Sequence, residues 1–134
     1  VAANNRLDLL EEARAAQLFQ RALAGDGTLF PPHRLLRLLT LDGARALGLD
    51  DRVGALGVGR DADLCAVSLA APHVRPVHDP LAALVLAARA SDGVLPAVRG
   101  RVLYHDGTVR TLDEAETRAA VDATARRIRC DEGS

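Results

Sequence analysis

The stretch Val53–Leu69, V-G-A-L-G-V-G-R-D-A-D-L-C-A-V-S-L, constrains the fold more than any other. Gly54, Gly57 and Gly59 fall within six residues. Glycine at that density marks backbone turning or close approach of chains rather than regular structure. Arg60-Asp61-Ala62-Asp63 then makes a polar turn, and Leu64–Leu69 is an apolar run of strand length. Helix-period sequence precedes this stretch and strand-like sequence follows it. It is therefore read as a hinge between two architectures.

Length decides how much of a fold can surround that hinge. The chain has 134 residues, room for one domain or part of one. A complete (β/α)₈ barrel needs roughly 200 residues or more. The first residue is Val1 rather than Met, so the sequence reads as a fragment, a processed product or a short natural protein. Aromatic residues make up 2%, so small aliphatic side chains must build the core. A net charge of −1 gives no electrostatic footprint for nucleic acid. All 17 basic residues are Arg, a bias read as GC-rich coding. Cys65 and Cys130 lie far apart, without the spacing of a zinc ribbon or a disulfide framework. No apolar run is long enough for a membrane span, and no leader pattern is visible, so a cytoplasmic protein is expected.

Along the chain, Asn5 is expected to cap a helix whose apolar face is Leu9, Ala13, Ala16, Phe19 and Leu23, with Gly25 as its stop. Arg14 and Arg21 suit the helix dipole and, with the Glu residues, a solvated face. Pro31-Pro32 starts a second, leucine-rich helix that Thr40-Leu41-Asp42-Gly43 should interrupt. Ala44–Leu47 forms a short helix, and Gly48-Leu49 fits a Schellman ending. Asp79-Pro80 is a cap followed by proline at the first helical position. The helix it starts should bury Leu81, Leu84, Val85 and Ala88 and reach about Ala90. Val94–Arg99 and Arg101–His105 read as strands around Gly100, with a second turn at Asp106-Gly107. Pro96 points to an edge strand or a bulge, and Arg99 weakens the tight-hairpin pattern. Thr111 and Glu114 form a capping box for a last helix with a thin face of Val121, Ala125 and Ile128.

Several of these stretches resemble one family. Gly54-x-Leu56-x-x-Gly59-Arg60-x-Ala62-Asp63-Leu64 is similar to the return segment of metal-dependent amidohydrolases. Thr40–Leu49 resembles that family's T-x-N-G-A-x-A-L-G-L signature, with Asp42 in place of Asn as a cap for the following turn. Ala3–Arg14 and His73–Val85 resemble the deaminase/chlorohydrolase branch, which holds adenosylhomocysteine and methylthioadenosine deaminases and triazine hydrolases. The resemblance runs from Asn4 to about Arg129.

The resemblance implies an α/β fold class: the C-terminal piece of a (β/α)₈ barrel amidohydrolase, its last barrel helices, plus strands of the accompanying small β-sandwich. Residues 1–52 would be terminal barrel helices, 53–69 and 94–110 sandwich strands, 70–93 a connecting loop and helix, and 111–134 a C-terminal helix and tail. The implied activity is metal-dependent hydrolysis of a non-peptide C–N bond, as in deamination of a purine nucleoside or related heterocycle. In the family, zinc or another divalent metal activates water. Its ligands are an early H-x-H pair, two later His residues and an Asp after strand eight. None maps onto this sequence, so no catalytic or metal residue and no cofactor is assigned to this chain alone. Implied partners are the remainder of the enzyme and a small-molecule substrate, with no nucleic acid and no membrane. Exposed apolar faces leave a homo-oligomer open. The rival reading is a stand-alone, non-catalytic module that packs on a barrel partner.

Individual residues are weighed the same way. Asn4 and Asn5 are substrate-adjacent by resemblance, since they follow the metal-binding Asp, although Asn5 also suits a cap. Gly54, Gly59, Asp63 and Asp79 are structural: two turn glycines, a turn carboxylate and a cap. His73 and His78 lie in a proline-marked loop without a carboxylate or Cys partner in the sequence, so a hydrogen bond from His78 near the helix start is expected rather than a metal site. Cys65 reads as an inert thiol in a buried strand.

Overall fold

Proline, glycine and aspartate set the element boundaries, and a small aliphatic core joins them. The computed structural model describes residues 7–105 and 107–131, with side chains as far as residue 128. Asn4, Asn5 and Asp106 lie outside the described residues.

Helix α1 spans Leu9–Ala24 and ends at Gly25, whose φ of 64° is left-handed. Its cap is Asp8, not Asn5: the Asp8 carboxylate accepts N–H groups of Leu10 and Glu11. The buried side is the expected one only in part. Ala13 and Gln17 are buried, whereas Leu9, Phe19 and Leu23 are 71, 70 and 79% exposed. Arg14 and Arg21 share the Ala13–Gln17 face and reach backbone carbonyls, so they do not lie on a solvated face. Gln17 Nε2 donates to Phe30 O at 2.6 Å, and Arg21 Nε donates to Leu29 O at 2.8 Å. Helix α1 is therefore turned, with polar anchors inward and a leucine–phenylalanine stripe outward.

Helix α2, Pro32–Arg37, runs without a break into a π-helical turn, Leu38–Asp42, and then α3, Gly43–Ala46. The expected interruption is a widened turn instead. Thr40 Oγ1 donates to Leu36 O at 2.7 Å, a back-bond that competes with the helical ladder. Asp42 makes no side-chain cap. Its carboxylate instead faces Arg34, Arg37 and Arg45 at 3.0, 3.1 and 3.4 Å. The Schellman ending forms as read: Leu49 N–H donates to Ala44 O at 2.9 Å and Gly48 N–H to Arg45 O at 3.1 Å.

Helix α4, Pro80–Leu86, starts on the Asp79 carboxylate, which accepts Leu81 N–H at 2.9 Å. It stops before Ala90, and a 3₁₀ turn, Ala90–Asp92, follows. The core lies between α1, α2 and α4. Leu35 and Val85 are fully buried, Ala13 joins them, and Phe30, Leu36, Leu39 and Leu84 pack around them. Burying a side chain of the size of Leu35 contributes about 1.5–3 kcal/mol.

The hinge docks on the π-turn. Gly54 has φ 85°, and a Cβ there would lie 2.7 Å from Ala44 Cβ, 2.9 Å from Leu41 Cα and 3.0 Å from Thr40 O. Only glycine allows that approach. Arg60 Nη1 donates to Asp50 O and Val53 O at 2.7 and 3.0 Å, closing the glycine loop.

An antiparallel sheet follows, in the order β1 (Leu64–Val67), β2 (Gly93–Val98), β3 (Arg101–Val102). Pro96 sits in the central strand, not on an edge. Its carbonyl accepts Leu103 N–H at 3.0 Å, so the donor it lacks faces the side where the β3 ladder ends. The register shift between Ala66 and Val67 leaves Val94 of β2 unpaired, a bulge opposite that step. The hairpin turn is tight despite Arg99: Arg99 and Gly100 have φ 48° and 74°. Asp63 Oδ1 accepts Arg99 N–H at 2.7 Å and Ala62 O accepts Gly100 N–H at 2.9 Å, which holds Arg99 in that conformation.

The strand expected over Arg101–His105 breaks at Leu103. Beyond it, β4 (Tyr104–His105) pairs with β5 (Thr108–Val109) as a separate ribbon. The last helix, α5, spans Glu114–Asp131. The Thr111–Glu114 capping box does not form. Asp113 takes over, its Oδ1 accepting Glu116 N–H at 3.0 Å. Asp is a strong cap and lies directly before the first helical residue. Val121 and Ile128 are 62 and 56% exposed.

Candidate functional site

The most constrained polar cluster lies where the N-terminus of α1 meets the turn behind α4. Asp8 has an extended backbone, φ −117° and ψ 99°, which aims its carboxylate back over the first turn of α1. Oδ1 accepts Leu10 N–H at 3.0 Å and Glu11 N–H at 3.2 Å. Oδ2 accepts Ala90 N–H at 2.9 Å, a contact across 82 positions of sequence. Two turns into α1, Arg14 Nη1 donates to Val85 O at 3.3 Å and Ala88 O at 2.8 Å. Val85 lies in the last turn of α4 and Ala88 just past its end, where a cation is also favoured by the helix dipole.

The same 3₁₀ turn is held from the other side. Asp92 Oδ2 accepts Arg89 N–H at 2.8 Å and lies 2.8 Å from His73 Nε2. Asp92 O accepts Ser68 N–H at 2.8 Å, which ties the turn to the end of β1. Burial pushes the Asp8 carboxyl up, but the Ala90, Glu11 and Leu10 N–H groups and the charge of Arg14 together hold it below its ordinary value. The Arg89 N–H, and then His73, hold the Asp92 carboxyl low. Both carboxylates stay ionised at neutral pH and accept backbone N–H groups. The cluster orients backbone.

The residues singled out from the sequence separate into distinct places. Asn4 and Asn5 lie outside the described residues, just ahead of Asp8 in the chain. Gly54 and Gly59, with φ of 85° and 84°, shape the hinge, and Asp63 fastens the hairpin turn to the start of β1. Asp79 caps α4. The structure does not bring these four into one cluster. His73, rather than His78, makes the hydrogen bond near this loop; His78 has no partner among the described residues. Cys65 is exposed rather than buried in a core. It lines an open groove of ≈270 Å³ with Val67, Leu69, Pro80, Leu81 and Leu84. The thiol is the single titratable group in that lining.

Among the described residues, no three His, Cys, Asp or Glu side chains are grouped so that they could hold a metal ion. No helix among the described residues is long and apolar enough to cross a membrane.

The pinning role of Asp8, Arg14, Gln17 and Arg21 was not read from the sequence. One signal was available: Arg14, Gln17 and Arg21 recur at spacings of three and four, one helix face, together with Ala13. Three long polar side chains beside a buried alanine suit anchoring as well as solvation.

Comparison with known proteins gives this geometry a setting. The family model described as "Amidohydrolase family" matches residues 1–103. A 5-methylthioadenosine/S-adenosylhomocysteine deaminase of Moorella thermoacetica is 45% identical over 118 residues, covering 88% of this chain and 28% of that protein. The deaminase of the same description from Syntrophobacter fumaroxidans is 40% identical over 128 residues, covering 96% of this chain and 29% of that one. Among solved structures, an adenosine deaminase from Xanthomonas campestris with bound zinc is similar, with a TM-score of 0.91 and 36% identity. That match covers 96% of this chain and 29% of the other. An atrazine chlorohydrolase from Arthrobacter aurescens complexed with zinc has a TM-score of 0.76 and 28% identity, covering 85% and 25%. The chain thus spans less than a third of the length of the curated relatives it matches.

Proposed function

Since this chain belongs to the amidohydrolase family, we propose that it is the C-terminal part of a metal-dependent hydrolase that deaminates a purine nucleoside or a related heterocycle. One observation carries the reading. Identity of 40–45% to two deaminases extends over 88–96% of this chain but over less than a third of either relative. The outward stripe of Leu9, Phe19 and Leu23 on α1 supports it. A helix that buries polar anchors on one side and exposes leucine and phenylalanine on the other is built to lie between two layers.

In this reading residues 1–52 supply the last barrel helices. Residues 53–69 and 94–110 supply sandwich strands, joined by 70–93, and 111–134 form a terminal helix and tail. Asn4 and Asn5 lie beside the substrate, while Gly54, Gly59, Asp63 and Asp79 keep the scaffold in register. Zinc or another divalent metal supplies activated water in the complete enzyme. Its ligands lie outside this chain, and so does the hydrolytic step. The partners are the remainder of the enzyme and a small-molecule substrate, in the cytoplasm.

The test is direct. The chain alone, and the chain joined to the segment that precedes Val1, are assayed for metal content and for deamination of adenosine, 5-methylthioadenosine and S-adenosylhomocysteine. The joined protein is expected to bind metal and release ammonia, and the chain alone to do neither. Stoichiometric zinc and deamination by the chain alone would overturn the assignment of the chemistry to the missing part. A joined protein with no hydrolytic activity, or a start codon close to Val1, would favour a non-catalytic module.

A further inference from the structure

We infer that α5 is a self-association surface: two copies of this chain pair antiparallel through their Glu114–Asp131 helices, centred near Ala120. The inference stands apart from the deaminase reading and needs no residue of a reacting site.

α5 has little to pack on within the chain. Its described side chains are exposed except that of Ala125, which is half-buried. Leu112, Val121 and Ile128 are 50, 62 and 56% exposed. Helices in proteins draw most of their stability from the packing of one face, and α5 finds little of it here. The family match ends at residue 103, so α5 also lies beyond the segment that the family model describes.

The charge pattern of the segment says what covers it. When residues 112–128 are set against themselves in reverse about Ala120, Leu112 meets Ile128, Asp113 meets Arg127, Glu114 meets Arg126 and Arg118 meets Asp122. In that stretch only Glu116, set against Thr124, lacks an opposite charge. At helical spacing, Val121, Ala125 and Ile128 share one stripe. Arg118 and Asp122 flank it on one side, Asp113 and Arg127 on the other, and Glu116 lies on the far side of the helix. In an antiparallel pair with two-fold symmetry, each flank faces its own counterpart. Arg118 of each copy therefore meets Asp122 of the other, and the two Val121 side chains meet near the axis. Alanines between these positions let the helices approach closely. Within one copy the charges are unspent: Arg118 and Asp122 make no ion pair among the described residues.

The test uses the full-length protein that carries this segment. Arg118→Glu leaves two acids on the flank, and Asp122→Arg leaves two cations. Each variant is expected to raise the dimer dissociation constant about tenfold in sedimentation equilibrium, since two attractive surface contacts become repulsive. An equimolar mixture of the two variants is expected to regain the parental constant, because the mixed pair restores both contacts. Val121→Cys, made with Cys65→Ser and Cys130→Ser, is expected to form a disulfide-linked dimer when oxidised with copper phenanthroline in air. Ala119→Cys in the same background, on the far side of the helix, is expected to form none. A parent that stays monomeric would overturn the inference. So would a parental constant in both charge variants. Weakening in each that mixing does not restore would place α5 on the rest of its own chain and overturn it too. If neither charge variant folds, the cysteines decide: no linked dimer from Val121→Cys, or as much from Ala119→Cys, would sink the idea.

Discussion

Replacing Gly54 with alanine tests how the hinge is seated, and the chain contains its own control. Gly54 and Gly59 have nearly the same backbone, φ 85° and 84°. An alanine at either position pays for a left-handed conformation, about 1–2 kcal/mol. At Gly59 nothing lies within 4 Å of the added Cβ, so that is the whole effect. At Gly54 the Cβ would meet Ala44 Cβ at 2.7 Å, Leu41 Cα at 2.9 Å and Thr40 O at 3.0 Å. None of these atoms is the far end of a flexible side chain. The hinge or the π-turn must move, which adds about 1–3 kcal/mol of overpacking. Gly54→Ala should therefore destabilise by roughly 2–5 kcal/mol and Gly59→Ala by roughly 1–2 kcal/mol. With about 4 °C per kcal/mol for a chain of this size, the two melting points should differ by roughly 4–12 °C. Urea denaturation followed by circular dichroism gives the free energies, and parallel m-values show that the same surface unfolds. Equal losses in the two variants would refute the claim that Gly54 is held by contact rather than by its dihedral angle.

Leu35→Ala empties the centre of the helical core, where Leu35 is fully buried, and should cost about 2–5 kcal/mol in the same denaturation assay. Asp79→Ala removes the carboxylate that accepts Leu81 N–H and should cost about 1 kcal/mol, whereas Asp79→Ser should cost much less. Asp92→Asn tests the pH dependence. The Asp92 carboxyl titrates below its ordinary 3.8 when folded. Its contribution to stability is therefore present above that value and is lost as pH falls through the folded pKa. The gap in melting point between parent and Asp92→Asn should persist from pH 7 to about 5 and close below about 4. A gap unchanged at acid pH would count against the lowered carboxyl.

Much of this molecule was determined by local chemistry and could be read without coordinates. Asp79-Pro80 starts a helix because a carboxylate and a ring fix the first turn. Gly25 and Gly48 end helices because only glycine enters the left-handed region freely. Gly54 and Gly59 announce turns for the same reason. The family resemblance was legible in the same residues, since turn chemistry at fixed spacing tolerates few substitutes. What sequence could not determine was orientation. Apolar periodicity assigned Leu9, Phe19 and Leu23 to the inside of α1. Of the expected face only Ala13 goes inside, joined by Gln17, because Arg14, Gln17 and Arg21 find backbone carbonyls there. Cys65 was assigned to a core but opens onto a groove, because the burial of a strand's side chain depends on what packs on that face of the sheet. Competing caps such as Asn5 and Asp8, or Thr111 and Asp113, differ by a turn's geometry that sequence does not carry. Most of all, the bond from Asp8 to Ala90 joins residues 82 positions apart. Local propensity is blind at that range, and only the packing of α1 against the end of α4 makes one carboxylate serve both.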